Sequence, residues 1–237
     1  MEKLLRYFNP LSSIEREREK RLRQGGLPEH LSALLTKPFP EHGANLNDLE
    51  YLVLDFETTG FEPETDDILS VGYLCIKNSK LDMNSAVHTY IQGAEGVKAE
   101  TAVINHIVPQ MLDNGRPLDD VMMQLFQCMK GKILIAHGST IEKRFIDHYL
   151  FTRYKIKPLP LLWIDTLLLE KSLTINKNYQ KSGDYRLASV RARHGLPEYS
   201  NHGALIDAVA TGELFFALIS LIFSHSLPRL GSLYHYK

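Results

Sequence analysis

Tyr51-Leu52-Val53-Leu54-Asp55-Phe56-Glu57-Thr58-Thr59-Gly60 runs from a block of β-forming apolar residues into two carboxylates set two positions apart. Such a block reads as a buried strand. On a strand, residues i and i+2 point to the same face. Asp55 and Glu57 therefore project together from the end of a buried element, where like charges repel and desolvation is costly. A pair so placed wants a compensating cation. A divalent metal site is the first expectation, with phosphodiester hydrolysis a natural use for it. Taken alone, the two residues could also be strand-end charges facing solvent, so the rest of the chain has to decide.

Outward from that strand, the chain divides into three parts. Residues 1–46 read as a helical extension and linker, 47–226 as the main domain, and 227–237 as a tail. The extension holds a dense mixed-charge run, Ile14 to Arg23, followed by Gly25-Gly26, a second short helix from His30 to Thr36, and the breaker Lys37-Pro38-Phe39-Pro40. The charge run reads as a salt-bridged helix face, with a partner-binding or nucleic-acid arm as the alternative. In the main domain, strands are expected at Tyr51–Phe56, Ile68–Ile76, Ala86–Ile91, 132–137 and 162–165. Helices are expected at 100–107, Leu118–Met129, 141–151, 166–172, 187–194 and 203–224. Strands first, then strands alternating with helices, argue for an α/β domain with a mixed sheet covered by helices.

Composition narrows the class. The 237 residues are 44% hydrophobic and 23% charged with a net charge of −1, which suits one sizeable core. No strongly basic balance announces nucleic acid, so any polyanion contact must come from local patches. No uncharged apolar run reaches the eighteen or so residues that span a bilayer, and 214–223 reads as a buried helix. The start Met1-Glu2-Lys3 lacks the pattern of a secretory signal. Cys75 and Cys128 have no CxxC spacing and read as reduced core residues, so the expected setting is cytoplasmic, with no membrane partner.

Three more polar signals fall where element ends should meet. His137-Gly138-Ser139-Thr140-Ile141-Glu142 sets a carboxylate just inside a helix that follows a buried strand. His202 and Asp207 stand five positions apart at the start of the last long helix, and Asp165 ends a short strand. In open α/β sheets, sites gather at strand termini and the helix starts that follow. Glu142 and Asp207 each have a plainer explanation, since acidic groups favour helix N-termini. Mg²⁺ and Mn²⁺ are hard ions bound by a few carboxylates, waters and substrate phosphate oxygens. Two of them roughly 3.5–4 Å apart stabilise the attacking and leaving oxygens of an in-line displacement. Asp55, Glu57, Glu142 and Asp207 would hold the ions. His202 would act as general base, a role typically worth roughly 10²–10⁴-fold. Asp165 reads as structural, as do His137 and His106.

These residues resemble a known family. Asp55 to Gly60 is similar to the first motif of the DEDD 3′–5′ exonucleases, the superfamily of the proofreading subunit of bacterial replicative polymerase. His137 to Glu142 lies like the second motif, and His202 to Asp207 like the third, in the His-x4-Asp form of the DEDDh (DnaQ-like) subgroup. The three occur in order, and the likeness covers roughly Leu49 to Ile222. It implies a ribonuclease H-like fold with a mixed five-stranded sheet, and release of nucleoside 5′-monophosphates from 3′ ends by two Mg²⁺ or Mn²⁺ ions. It implies that Asp55 bridges both ions, that Glu57 and Asp207 complete the tighter site, that Glu142 supports the second, and that His202 is the base. Thr58, Thr59, Gly60 and Phe61 would meet the terminal nucleotide. Single-stranded DNA is the expected partner ahead of RNA.

The second motif departs from the family pattern His-Asn-x-x-x-Asp, because Gly138 and Glu142 stand here. A glutamate reaches about 1.5 Å further than an aspartate, one C–C bond. If the helix sits slightly back, Glu142 serves; otherwise the second ion is weak. Two other readings therefore stay open: an exoribonuclease of the same fold acting on short RNA, and a catalytically weakened module that binds nucleic acid or a polymerase. Lys171, Lys177, Lys181 and Arg186 interleave with Tyr179 and Tyr185, which suits a single strand or a solvated loop. The run 229–234 faintly resembles motifs that dock on sliding clamps, without their Gln.

Overall fold

The computed structural model describes residues 10–93, 107, 109–176, 183–199 and 203–234. Five strands form one sheet in the order β3-β2-β1-β4-β5: β1 Tyr51–Thr58, β2 Ile68–Lys77, β3 Lys80–Tyr90, β4 Ile133–Ala136 and β5 Trp163–Asp165. β1 pairs antiparallel with β2 and parallel with β4, while β4 pairs parallel with β5. The helices are α1 Pro10–Gln24, α2 Glu29–Leu35, α3 Pro109–Asp113, α4 Leu118–Met129, α5 Thr140–Tyr154, α6 Thr166–Asn176, α7 Leu187–Arg193, α8 Ala204–Ile222 and α9 Leu230–Leu233.

The period of two along β1 sorts its side chains into two cores. Leu52, Leu54 and Phe56 face a layer holding Leu31, Leu35, Phe126, Phe145 and Tyr149 from α2, α4 and α5. Tyr51 and Val53 face the other layer, with Ala208, Leu214, Phe215 and Leu218 of α8. Covered on both sides, β1 is an uninterrupted apolar run, which is what a central strand requires. Burying each such Leu or Val is worth about 1.5–3 kcal/mol relative to exposure. By length and composition α8 could cross a bilayer, yet its apolar side is laid against the sheet.

The mixed-charge helix forms as expected, and its ends of charge pair within the helix: Glu17 with Lys20, and Glu19 with Arg23. Arg18 departs from that exposed face. It is buried beside Glu15, and its Nη1 donates to the Leu35 carbonyl, which fastens α1 to α2. The tail is docked rather than free. Leu46 N–H donates to the Pro228 carbonyl, Leu230 N–H to Ala44 and Gly231 N–H to His42. Leu230, Leu233 and Tyr234 are buried, so the apolar side chains of the clamp-like run point into the fold.

β3 is longer than the expected 86–91 segment. A tight hairpin at Asn78 and Ser79, with φ of 50° and 57°, turns the chain straight from β2 into β3 and pairs Lys77 with Lys80. Positive φ at both central residues is the geometry usually signalled by Asn-Gly. Asn-Ser hides it, and the polar run 80–85 is readable as an edge strand only once the hairpin is known. The expected helix at 100–107 lies outside the described residues except for Ile107, which is buried without helical structure.

A candidate metal centre at the end of the central strand

Asp55 and Glu57 occupy odd positions of β1, and so share the face of Tyr51 and Val53 that looks toward α8. α8 brings Asp207 to them in its first turn, with the Asp207 amide donating to the Gly203 carbonyl. Carboxylate oxygens of Asp55, Glu57 and Asp207 all lie within 4.8 Å of one another. Residues 152 positions apart in the chain, Asp55 and Asp207, meet because of one small residue. Gly72 is the β2 partner of Asp55, and a Cβ at Gly72 would stand 2.1 Å from the backbone of Ala204 and Leu205. The start of α8 rests directly on bare β2 backbone. A lone Gly inside an apolar strand is a signal of such close approach, and it was present in the sequence.

Glu142 arrives from the opposite layer, in the first turn of α5. It is 3% exposed and stands outside the three-carboxylate group, yet its charge acts on Asp55. Its Oε2 is buried with no hydrogen-bond partner among the described residues. The entry to α5 is held by Asp165. Oδ1 accepts from the Gly138 amide at 3.0 Å, and Oδ2 accepts from the Ser139 amide and hydroxyl at 2.8 and 3.0 Å. The same carboxylate caps α6 by accepting from Leu167 N–H at 3.0 Å. Asp165 is thus a structural residue, as its sequence context suggested, and it fixes where Glu142 stands. Gly138 has φ +81°, a left-handed conformation that Gly adopts freely and Asn tolerates. Gly138 supplies that backbone shape without a side chain.

The electrostatics are those of a site awaiting positive charge. Burial, then the Glu142, Asp207 and Glu57 carboxylates, push Asp55 well above its ordinary range. Burial and Asp207 push Glu57 up to about 7. Burial lifts Glu142 to about 8. Oxygen-only donors, crowded like charges and an orphaned buried oxygen fit a hard divalent cation such as Mg²⁺ or Mn²⁺.

The remaining expected residues fall into place as follows. His202 lies outside the described residues, as do His106, Lys177, Tyr179 and Lys181. His137 is engaged on both ring nitrogens: Nε2 lies 2.8 Å from the Tyr185 carbonyl, which can only accept, so Nε2 carries the proton and Nδ1 accepts from Thr166 Oγ1 at 2.9 Å. Burial lowers its pKa, which suits a neutral structural imidazole. Tyr185 has the cations of Lys171 and Arg193 over its ring at 5.3 and 5.5 Å. Thr58 Oγ1 donates to the Gly60 carbonyl at 2.7 Å, and Gly60 packs on the Asp66 carboxylate. Phe61, next in the turn, is 68% exposed. A cavity of about 610 Å³ between α7 and α8 has Asp207 in its wall, with Leu187, Leu196, Tyr199 and Arg186.

A family model described as exonuclease matches residues 52–215. The PolC-type DNA polymerase III of Thermotoga petrophila is 28% identical over 200 residues, covering 83% of this chain and 14% of that one. The corresponding protein of Staphylococcus epidermidis is 29% identical over 180 residues, covering 74% and 12%. The chain therefore spans about one-seventh to one-eighth of the length of these curated relatives. Among solved structures, cell-death related nuclease 4 superposes with a TM-score of 0.63 at 13% identity, over 73% of this chain and 64% of that one. Exonuclease I of E. coli, in complex with a dA16 oligonucleotide, gives 0.60 at 15% identity, over 79% and 42%. These likenesses carry the fold, a ribonuclease H-like sheet flanked by helices. With its family match running from the first strand through the helix of Asp207, the chain belongs to the exonuclease family, of DnaQ-like type.

Proposed function

We propose that the protein is a metal-dependent 3′–5′ exonuclease that removes nucleoside 5′-monophosphates from the 3′ ends of single-stranded nucleic acid, DNA in preference to RNA. The observation that carries this reading is the meeting of Asp55, Glu57 and Asp207 within 4.8 Å, beside a buried Glu142 whose Oε2 has no partner among the described residues. Two Mg²⁺ or Mn²⁺ ions would supply neutralisation of developing negative charge and activation of a water at neutral pH. Asp55 shares one group with Glu57 and Asp207 and also feels the charge of Glu142, which comes from the opposite layer. His202 takes the proton from the attacking water, in the role its motif implies. Thr58 to Phe61 orient the terminal nucleotide, with the exposed Phe61 ring available to a base. The cavity beside Asp207 falls in the size range of small-ligand sites and leaves room for a nucleotide unit. DNA is favoured because the curated relatives are DNA polymerases and a structural neighbour binds a dA16 oligonucleotide.

The test is time-resolved product analysis on end-labelled single-stranded DNA and RNA, with Mg²⁺, with Mn²⁺ and with chelator. Mononucleotide release from the 3′ end that stops with chelator is the expected result. Turnover untouched by chelator would sink the metal assignment, and faster digestion of RNA would favour the exoribonuclease reading. One observation keeps a further reading alive: Glu142 stands outside the three-carboxylate group. A protein that shifts a labelled oligomer in a gel yet releases no nucleotide with Mn²⁺ would be a binding module with a spent second site.

A further inference from the structure

We propose that Arg144 is a positioning residue that ties the loop after β1 to α5, so that the surface offered to the terminal nucleotide keeps a fixed relation to the carboxylate cluster. The inference rests on the exonuclease reading for its purpose, though the tether itself is a matter of geometry. Arg144 stands two residues beyond Glu142 on α5. Its Nη1 donates to the Phe61 carbonyl at 2.9 Å and to Glu62 Oε1 at 3.2 Å, and its Nη2 donates to Glu62 Oε2 at 2.5 Å. Glu64 lies 3.9 Å away. A planar guanidinium fork reaches a carboxylate and a neighbouring carbonyl together, which a lysine ammonium does not reproduce.

Several of the loop's other bonds are internal. Thr59 N–H donates to the Asp67 carbonyl, Asp67 N–H to Thr59 Oγ1, and Glu62 N–H to Asp66 Oδ2. They give the turn its shape, while its ends run into the paired strands β1 and β2 and Pro63 is buried. Arg144 adds a polar bond from the loop to α5, across 83 positions of chain. By holding the carbonyl of Phe61 it sets the direction of a side chain that is 68% exposed and otherwise unsupported by burial. The pair stays ionised, since the guanidinium holds Glu62 below the usual carboxylate range.

An exposed guanidinium beside such a site has an alternative use, direct contact with a phosphate, and the variants separate the two. Arg144→Ala, Arg144→Lys and Glu62→Ala are compared with wild type for binding of a fluorescein-labelled oligothymidylate, for KM and kcat, and for hydrogen exchange of amides 59–67 without nucleic acid. A tether predicts faster exchange and about 2–5-fold weaker binding and higher KM in all three, the range expected for an exposed ion pair. kcat at saturating oligomer stays unchanged. Arg153→Ala, which breaks an exposed pair between α5 and Asp119 of α4, serves as the control and behaves as wild type. Unchanged exchange in Arg144→Ala overturns the proposal. So does tighter or unaltered oligomer binding in Glu62→Ala, which would mean that the freed guanidinium meets phosphate directly. If wild type shows no nuclease turnover, the exonuclease reading fails, while the exchange and binding arms still decide the tether.

Discussion

Burial moves Asp55, Glu57 and Glu142 in one direction, toward the protonated form, and each is opposed by a neighbouring carboxylate or left short of a partner. Stability and activity should therefore respond oppositely to neutral replacements here. Asp55→Asn removes a charge that repels Glu57 and Asp207, so the metal-free protein should gain about 1 kcal/mol or more, roughly 2–4 °C in Tm. Nuclease turnover should fall by at least about 10²-fold, since a ligand to a cation worth several kcal/mol is lost. Calorimetry with chelator beside a mononucleotide-release assay with Mn²⁺ checks both halves. Asp165 is a contrasting carboxylate, with five donors around its two oxygens. Asp165→Ala should cost about 3 kcal/mol in urea unfolding, because buried amides at two helix starts lose a charged acceptor. A midpoint matching wild type would remove its role in seating α5.

Two elements, β2 and α8, touch at Gly72 without a side chain between them, and that contact sets where Asp207 stands. The first residues of α8 lie on Gly72, so even a methyl group there must lift the helix or bend the strand. Gly72→Ala should destabilise the fold by about 1–3 kcal/mol through overpacking. It should also weaken Mn²⁺ binding by roughly tenfold or more, because Asp207 is drawn away from Asp55 while neither ligand has changed. Manganese titration followed by electron spin resonance, on protein whose circular dichroism is native, reads the effect. Wild-type affinity in a folded Gly72→Ala protein would show that α8 reaches the site by another constraint.

For the molecule as a whole, the raised carboxyls make stability depend on pH. A carboxyl whose pKa rises on folding contributes stability that is complete below its unfolded value and is lost as pH climbs through the folded one. The window runs from the ordinary 4.5 through about 7 for Glu57 to about 8 for Glu142. Metal-free Tm should therefore fall between pH 5 and about 8, a decline set by those two groups and Asp55. Divalent ions bind the deprotonated ligands of the folded state, so the rise in Tm on adding Mn²⁺ should grow over the same interval. A thermal series in pH, with and without Mn²⁺, checks this. A metal-free Tm that increases from pH 5 to 8 would contradict the burial of these groups.

The alternation along β1 was enough to put Asp55 and Glu57 on one face, and the apolar run was enough to make that strand central. The amphipathic pattern of Leu118–Met129 marked α4 at its observed ends. Such features depend on neighbours two to four positions apart, and local spacing records them. The hairpin at Asn78-Ser79, the docking of the tail on the 42–46 segment, and the Arg144 bridge to Phe61 and Glu62 left no local trace. Nor does spacing say that Glu142 approaches from the opposite layer to Asp207, outside their shared group. The sequence by itself determined which carboxylates are available and which strand presents the first two. Tertiary structure decided their distances, because contact between segments separated by up to 152 positions is set by packing, above all by the bare backbone at Gly72.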